Sequence, residues 1–406
     1  MPKRTVASRP ALLPPAPLSP ALLSLLLLAV SLCSFTALCV LQRAPMADLL
    51  VYRAAGAAAS HGGDLYGFTV TEWRLPATYP PFAAILFVPA TWLPVPALKA
   101  AFLAGNALLL AGLVTLSARL AARPLPLPLL CTCTALALWL EPVFQTLLFG
   151  QVNLAVACLA LWDLTRPPGA RAKGLALGLA AGIKLTPAVF VVYVFLRGRK
   201  REAATAAAGF AGTVLLGALL LPSASTDYWT RRLYETGRVG KAWIVDNQSL
   251  RGLVARVLGD PAPGLAWLLP AALAAVVGLS LAARARRDGH GILLAAFTAL
   301  LVCPISWTHH WVWCVPLLAV LLAEGRTRTA ALVALVFTAR TMWLVPHEGD
   351  LDLELPWWQQ PLAAAYPLLA LGLIGSYDSM ISRQNDSTEQ TGKLACLSRR
   401  FRSERR

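Results

Sequence analysis

Three carboxylates, Asp48, Asp64 and Glu72, fall in one polar stretch, residues 47–82, set between apolar runs. A carboxylate in such a loop can take the proton from an attacking hydroxyl, which is the work of a general base. Asp48 lies closest to the preceding apolar run and four residues before Tyr52. On a short interfacial helix that spacing puts the phenol on the same face as the carboxylate. Asp64 follows Gly62 and Gly63 and has a second reading as a turn residue. With Arg74 and Tyr79 added, the stretch is too rich in carboxylates and aromatics for a plain connector and reads as the front of an active site.

Other polar groups sit where an apolar environment penalises them, at about 2.5 to 3.5 kcal/mol for an ionised side chain in mid-membrane. Lys184 stands alone in an apolar run, with no carboxylate between Asp163 and Glu202. A cation there calls for an anion, either a lipid phosphate or a protein carboxylate. Gln151 and Asn153 open another apolar run and are suited either to bonding substrate hydroxyls or to bonding neighbouring helices. A second polar stretch, 223–263, combines Arg231, Arg232, Arg238 and Lys241 with Tyr228, Trp229 and Trp243, followed by Asn247 and Gln248. Cations beside amphipathic rings favour an anionic, carbohydrate-bearing or lipid ligand, although a solvated basic face has the same composition. His309 and His310 are adjacent, so on a helix they diverge by about 100° and chelate poorly. They read as substrate hydrogen-bonders or as interfacial anchors with Trp307, Trp311 and Trp313. No metal site is expected. No Walker loop, GxGxxG, GxSxG or HExxH occurs, so no nucleotide or other cofactor is expected either.

The elements that must position these groups are membrane helices. Of 406 residues, 57% are hydrophobic and 14% charged, with a mean hydropathy of +0.61, values that place the chain among polytopic membrane proteins. The net charge of +16 falls in short clusters between apolar runs and near the C-terminus, as in loops facing anionic lipid, so membrane lipid and not nucleic acid is the expected partner. The cysteines sit largely in apolar runs without a CxxC pair and read as small hydrophobes. Residues 1–17 are expected to be cytoplasmic, 18–378 to form the membrane domain and 379–406 to be a basic, disordered cytoplasmic tail. The run 145–164 reads as one segment. Run 174–196 is basic on both flanks, which makes it a hairpin with Lys184 near its tip. Run 292–322 is bounded by arginines on both sides and is too short for two spans, which implies half-helices with a tip at 306–311. The stretches 47–79, 223–263 and 347–354 then share the outer side. About ten to twelve membrane segments result, in an all-α protein with two large extracytoplasmic loops, and no internal repeat suggests a transporter.

Taken in order, Asp48 to Tyr52, Asp64-Leu65-Tyr66, Tyr79-Pro80-Pro81-Phe82, Phe149-Gly150-Gln151-Val152-Asn153, Gly182 to Pro187, Asn247-Gln248-Ser249-Leu250 and Trp307 to His310 resemble bacterial polyprenyl-phosphate-mannose-dependent α-mannosyltransferases. The resemblance implies a GT-C glycosyltransferase bundle with a catalytic carboxylate in the first outer loop, here Asp48. It implies a polyprenyl-phosphate-linked sugar donor and a glycolipid or glycan acceptor. The phosphate would be met by Lys184 or Arg231, and inversion of a β-linked donor would give an α-mannoside. Two other readings remain: an arabinofuranosyltransferase using decaprenyl-phosphate-arabinose on the same scaffold, and, in a different class, a lipid or sugar transporter or flippase.

Overall fold

The computed structural model describes residues 19–377; the expectations for 1–17 and 379–406 concern segments outside them. Four helices are long and apolar enough to cross a membrane: α1 (Pro20–Leu41), α4 (Val95–Leu120), α10 (Lys200–Leu220) and α13 (Leu265–Arg284). Between the first two lie α2 (Ala47–His61) and α3 (Pro81–Leu86), joined by a two-stranded antiparallel hairpin, β1 (Thr69–Val70) and β2 (Leu75–Pro76). Helices α5 (Leu127–Ala137) and α6 (Glu141–Phe149) form a pair bent by 76°, and counting it as one span gives five. The remaining apolar helices are shorter. They are α7 (Asn153–Leu164), α8 (Leu175–Ile183), α9 (Ala188–Leu196), α14 (Asp288–Val302), α15 (Cys314–Ala323), α16 (Thr327–Ala339) and the last one, Ala365–Tyr377. Outside the bundle, α11 (Pro222–Asp227) and α12 (Leu250–Leu258) belong to the second polar stretch, and α17 (Gln360–Ala363) precedes the last helix.

The short helices are short because polar or special residues interrupt them. The run 145–164 is not continuous: Gly150 takes φ +71°, which ends α6, and α7 restarts at Asn153. Lys184 is extended (φ −146°, ψ 131°) between α8 and α9, and Pro187, the N-cap of α9, has no N–H to give the Ile183 carbonyl and so cannot continue α8.

Helices α8 and α9 form a hairpin that re-enters from one end of the bundle. Helix α8 lies along α10, and the contact is so close that a Cβ on Gly178 would meet the Ala206 carbonyl, and one on Gly182 would meet the Thr213 side chain. Small residues permit such an approach of two membrane helices, and van der Waals contact follows from it. Lys173 before α8 pairs with Glu202 at the start of α10 (3.4 Å), and α9 ends only a short turn before α10 begins. Both basic flanks therefore lie at one end. Asp163, at the end of α7, accepts from the Gly174 and Leu177 amides (2.8 and 3.0 Å) and so satisfies donors at the start of α8.

Helices α14 and α15 make a second hairpin from the same end. Arg287 before α14 and His290 within it both reach Glu324 after α15 (2.8 Å each), and Asp288 pairs with Arg197 after α9 (3.0 Å). The tips of the two hairpins meet deep in the molecule, where Lys184 Nζ donates to His310 Nε2 at 3.0 Å.

The polar stretches close over these tips from the opposite end. Arg238 donates to the Tyr66 carbonyl (2.7 Å), and Asp350 accepts from Lys241 and Trp243 (2.6 and 3.1 Å). The second stretch thus touches both the first and the third.

Candidate active site

Asp48 stands in the first turn of α2, where the partial positive charge of the helix start favours a carboxylate. The docking of α6 fixes what faces it. A Cβ on Gly150 would lie 2.8 Å from Leu49 Cβ, so the glycine lets the end of α6 abut the start of α2 and brings Gln151 beside Tyr52. Gln151 Oε1 accepts from the hydroxyls of Tyr52 (2.7 Å) and Tyr79 (3.0 Å), which leaves its amide nitrogen for Asp48. Tyr52 is further fixed by stacking on Phe87, ring centroids 4.4 Å apart.

Lys184 Nζ donates to Asn153 Oδ1 (2.8 Å) and to His310 Nε2 and lies 5.3 Å from the Tyr79 ring centre. Both hydrogen-bond acceptors are neutral. Asn153 in turn donates to the His309 carbonyl (2.8 Å), which also receives the Thr146 hydroxyl (3.1 Å), so the two hairpin tips and α7 share one network.

These groups face a cavity of about 1010 Å³, at the upper end of the range for small-molecule sites. Asp48, Tyr52, Tyr79, Gln151, Lys184, His309 and His310 all line it. Burial pushes the Asp48 carboxyl up to about 6. The hydrogen bond from Gln151 and the charge of Lys184 oppose that rise, and the charge of Asp246 adds to it. A carboxylate of this kind is ionised at neutral pH and is a stronger base than one in open water. Among the described residues no group of three or more His, Cys, Asp or Glu is arranged to hold a metal ion.

The other residues singled out in the sequence lie elsewhere. Asn153 is behind the cavity wall, bonded to Lys184. Asp64 is exposed, and its Oδ1 accepts from the Tyr66 and Gly67 amides (3.0 and 3.1 Å), the geometry of a turn. Arg74 is exposed and is not among the lining residues. Arg231 is exposed and pairs with Glu235 (2.7 Å), whereas its neighbour Arg232 lines the cavity, already paired with Asp227 and Glu235. Asn247 and Gln248 are both 0% exposed. Asn247 bonds the Ala242 and Pro304 carbonyls and the Ser306 amide, while Gln248 bonds the Val245 and Ala363 carbonyls and the Tyr366 amide. Their amides are therefore occupied in joining the second polar stretch to the α14–α15 tip and to the last helix.

Four lining residues had no signal in the sequence: Asp246, Trp343, His347 and Asp352. Asp246 precedes the buried amide pair directly, and the other three come from stretches distinguished only by lacking Lys and Arg or by lying next to an apolar run.

The model of glycosyltransferase family 87 matches residues 77–308. The chain is 34% identical to a polyprenol-phosphate-mannose-dependent alpha-(1-2)-phosphatidylinositol mannoside mannosyltransferase of Mycobacterium tuberculosis, over 80% of this chain and 83% of that protein. It is also 34% identical to a polyprenol-phosphate-mannose-dependent alpha-(1-2)-phosphatidylinositol pentamannoside mannosyltransferase of the same species, over 81% of this chain and 80% of the other. A phosphatidylinositol mannoside mannosyltransferase of Mycolicibacterium smegmatis is 32% identical over 87% and 88%. No solved structure matches the chain.

Proposed function

We propose that this chain, which belongs to glycosyltransferase family 87, transfers a mannosyl unit from a polyprenyl-phosphate donor to a mannose-bearing glycolipid. The observation that carries the reading is the pairing, in one cavity, of a half-buried carboxylate with a lysine whose bonded partners are neutral. Asp48 takes the proton of the acceptor hydroxyl as its oxygen attacks the anomeric carbon. The bond from that carbon to the phosphate oxygen breaks, and the electron pair leaves with the polyprenyl phosphate. Lys184 stabilises the negative charge that develops there, in a site screened from water where such an interaction is strengthened. Attack from the face opposite the leaving group inverts the centre, so a β-linked donor gives an α-mannoside. Transporter and arabinosyl readings lose support because the relatives named for their activity use polyprenol-phosphate-mannose.

Purified chain supplied with polyprenyl-phosphate-mannose and octyl α-mannoside is expected to form a dimannoside. Because Asp48 must be ionised to accept a proton, kcat/KM should fall as pH drops through about 6, approaching tenfold per unit below it. A profile flat from pH 7 to 4.5 would remove Asp48 as the base.

We place the cavity mouth and the donor on the outer face, a reading supported by the lack of Lys and Arg in residues 347–354. Single cysteines placed in 223–263 and 347–354 should react with an impermeant maleimide in intact cells. Reaction only after lysis would put the loops, and the donor, on the cytoplasmic side.

A further inference from the structure

The second carboxylate of the cavity, Asp246, is held by more protein bonds than a solvated loop residue requires. The Val245 amide donates to Asp352 Oδ1 (2.7 Å), and the fully buried Arg256 donates to the carbonyls of Trp243, Ile244 and Asn247 (3.2, 2.9 and 3.1 Å). Asn247 bridges to Trp307, so the backbone on both sides of Asp246 is clamped. Thr308 donates to Asp246 through both its amide and its hydroxyl (3.1 and 2.6 Å), and both bonds fall on Oδ1. Oδ2 has no protein partner among the described residues, and Asp246 makes no ion pair there. Such an arrangement fixes one carboxylate oxygen and keeps the other for a ligand.

Its position says which ligand. Asp48, Lys184 and Asp246 line one cavity, and the charge of Asp246 reaches Asp48. A second carboxylate in the cavity disfavours a phosphate and suits the hydroxyls of a neutral sugar. The attacking hydroxyl must reach the base, so the acceptor sugar lies beside Asp48 and within range of the neighbouring carboxylate Asp246. Trp307 and Trp343, which line the same cavity, offer ring surfaces suited to the apolar face of a sugar, and the ring of Trp307 is packed against the backbone of Gly240.

We propose that Asp246 is a specificity-determining residue of the acceptor subsite, its Oδ2 accepting a hydrogen bond from a hydroxyl of the acceptor mannose. The proposal rests on the mannosyltransferase reading above and adds the acceptor's place within that cavity. A hydrogen bond to an ionised carboxylate is of the strong, charge-assisted kind, and a site built around it discriminates sharply against an analogue lacking the hydroxyl.

The test uses the full chain with polyprenyl-phosphate-mannose and octyl α-mannoside. Asp246→Asn keeps an Oδ1 for Thr308, so the fold is retained, and thermal unfolding of the purified variant checks this. The expected result is a rise of about tenfold or more in the KM for octyl α-mannoside, with the donor KM within twofold. Among monodeoxy analogues of octyl α-mannoside, one should lose at least tenfold in kcat/KM with the wild type and no more than about twofold with Asp246→Asn. An unchanged acceptor KM, or a rise confined to the donor KM, overturns the subsite. Loss of folding in Asp246→Asn together with equal deoxy profiles for the wild type and Asp246→Glu also overturns it and leaves Asp246 as an anchor for Thr308. A wild type that transfers no mannose to any mannoside removes the mannosyltransferase reading itself, an outcome distinct from each of these.

Discussion

Asp48→Asn is expected to lower turnover by about 10² to 10⁴-fold, the range over which a positioned general base contributes. The amide keeps the shape of the carboxylate and can still meet Gln151, so donor binding and expression should be largely preserved. Folding has little to lose, since burial makes the Asp48 charge unfavourable and the swap removes it. Two competing carboxylates of the first loop are poorly placed to act as the base, because Asp64 is exposed and bonded in its own turn and Glu72 is exposed. Rates of mannosyl transfer for Asp48→Asn, Asp64→Asn, Glu72→Gln and Asp246→Asn, measured at saturating donor and acceptor, decide the matter. Near-wild-type turnover in Asp48→Asn beside a dead variant among the other three would transfer the role of base to that residue.

The i,i+4 relation of Asp48 and Tyr52 was legible because a helix period is a local property, and α2 carries it into one cavity wall. Basic flanks around 174–196 and 292–322 were equally informative, since charge distribution constrains which ends of a membrane segment can lie together. Burial within the polar loops was not legible. Asn247 and Gln248 have the chemistry of sugar-binding residues, but their partners are backbone groups of Pro304, Ser306, Ala363 and Tyr366, remote in sequence. Arg231 and Arg232 are chemically identical neighbours, and only the π-helical turn Tyr228–Arg232 together with the pairing to Asp227 turns one toward solvent and the other into the wall. Asp246 escaped notice for the opposite reason. It is one acid among several in a loop, and what distinguishes it is the clamp of Arg256 and Asp352 around it, a tertiary feature without a sequence pattern. The break at Gly150 shows the same limit on a smaller scale: the neighbouring Gln151 and Asn153 are compatible with a continuous helix, and the need for glycine comes from Leu49 on another helix.

Lys184→Met should weaken use of the donor by roughly thirtyfold or more, corresponding to about 2 kcal/mol or more for removing one partner of a buried hydrogen-bonded charge pair. The absence of a carboxylate bonded to Nζ is the reason for expecting so large an effect on binding. A lysine already neutralised by a protein carboxylate would have little left to offer a phosphate, but the acceptors bonded to Nζ are the Asn153 oxygen and the His310 ring nitrogen. The cation thus waits at the tip of its hairpin with dipoles holding it in place and its charge available. Loss of the lysine also frees Asn153 Oδ1 and His310 Nε2, at a cost of about 1 to 3 kcal/mol for each buried group left unbonded. Lys184→Gln, which keeps a donor for one of them without the charge, separates the two effects. Donor KM should rise in both variants, while the melting temperature should fall more in Lys184→Met. Acceptor KM for octyl α-mannoside should move little in either, because both variants leave Asp48 and Asp246, the carboxylates that face the acceptor, unchanged. If Lys184→Gln retains the wild-type donor KM and only stability suffers, Lys184 is a structural link between the two hairpin tips, and the counter-charge for the phosphate must come from elsewhere, with Arg232 the next cation on the cavity wall.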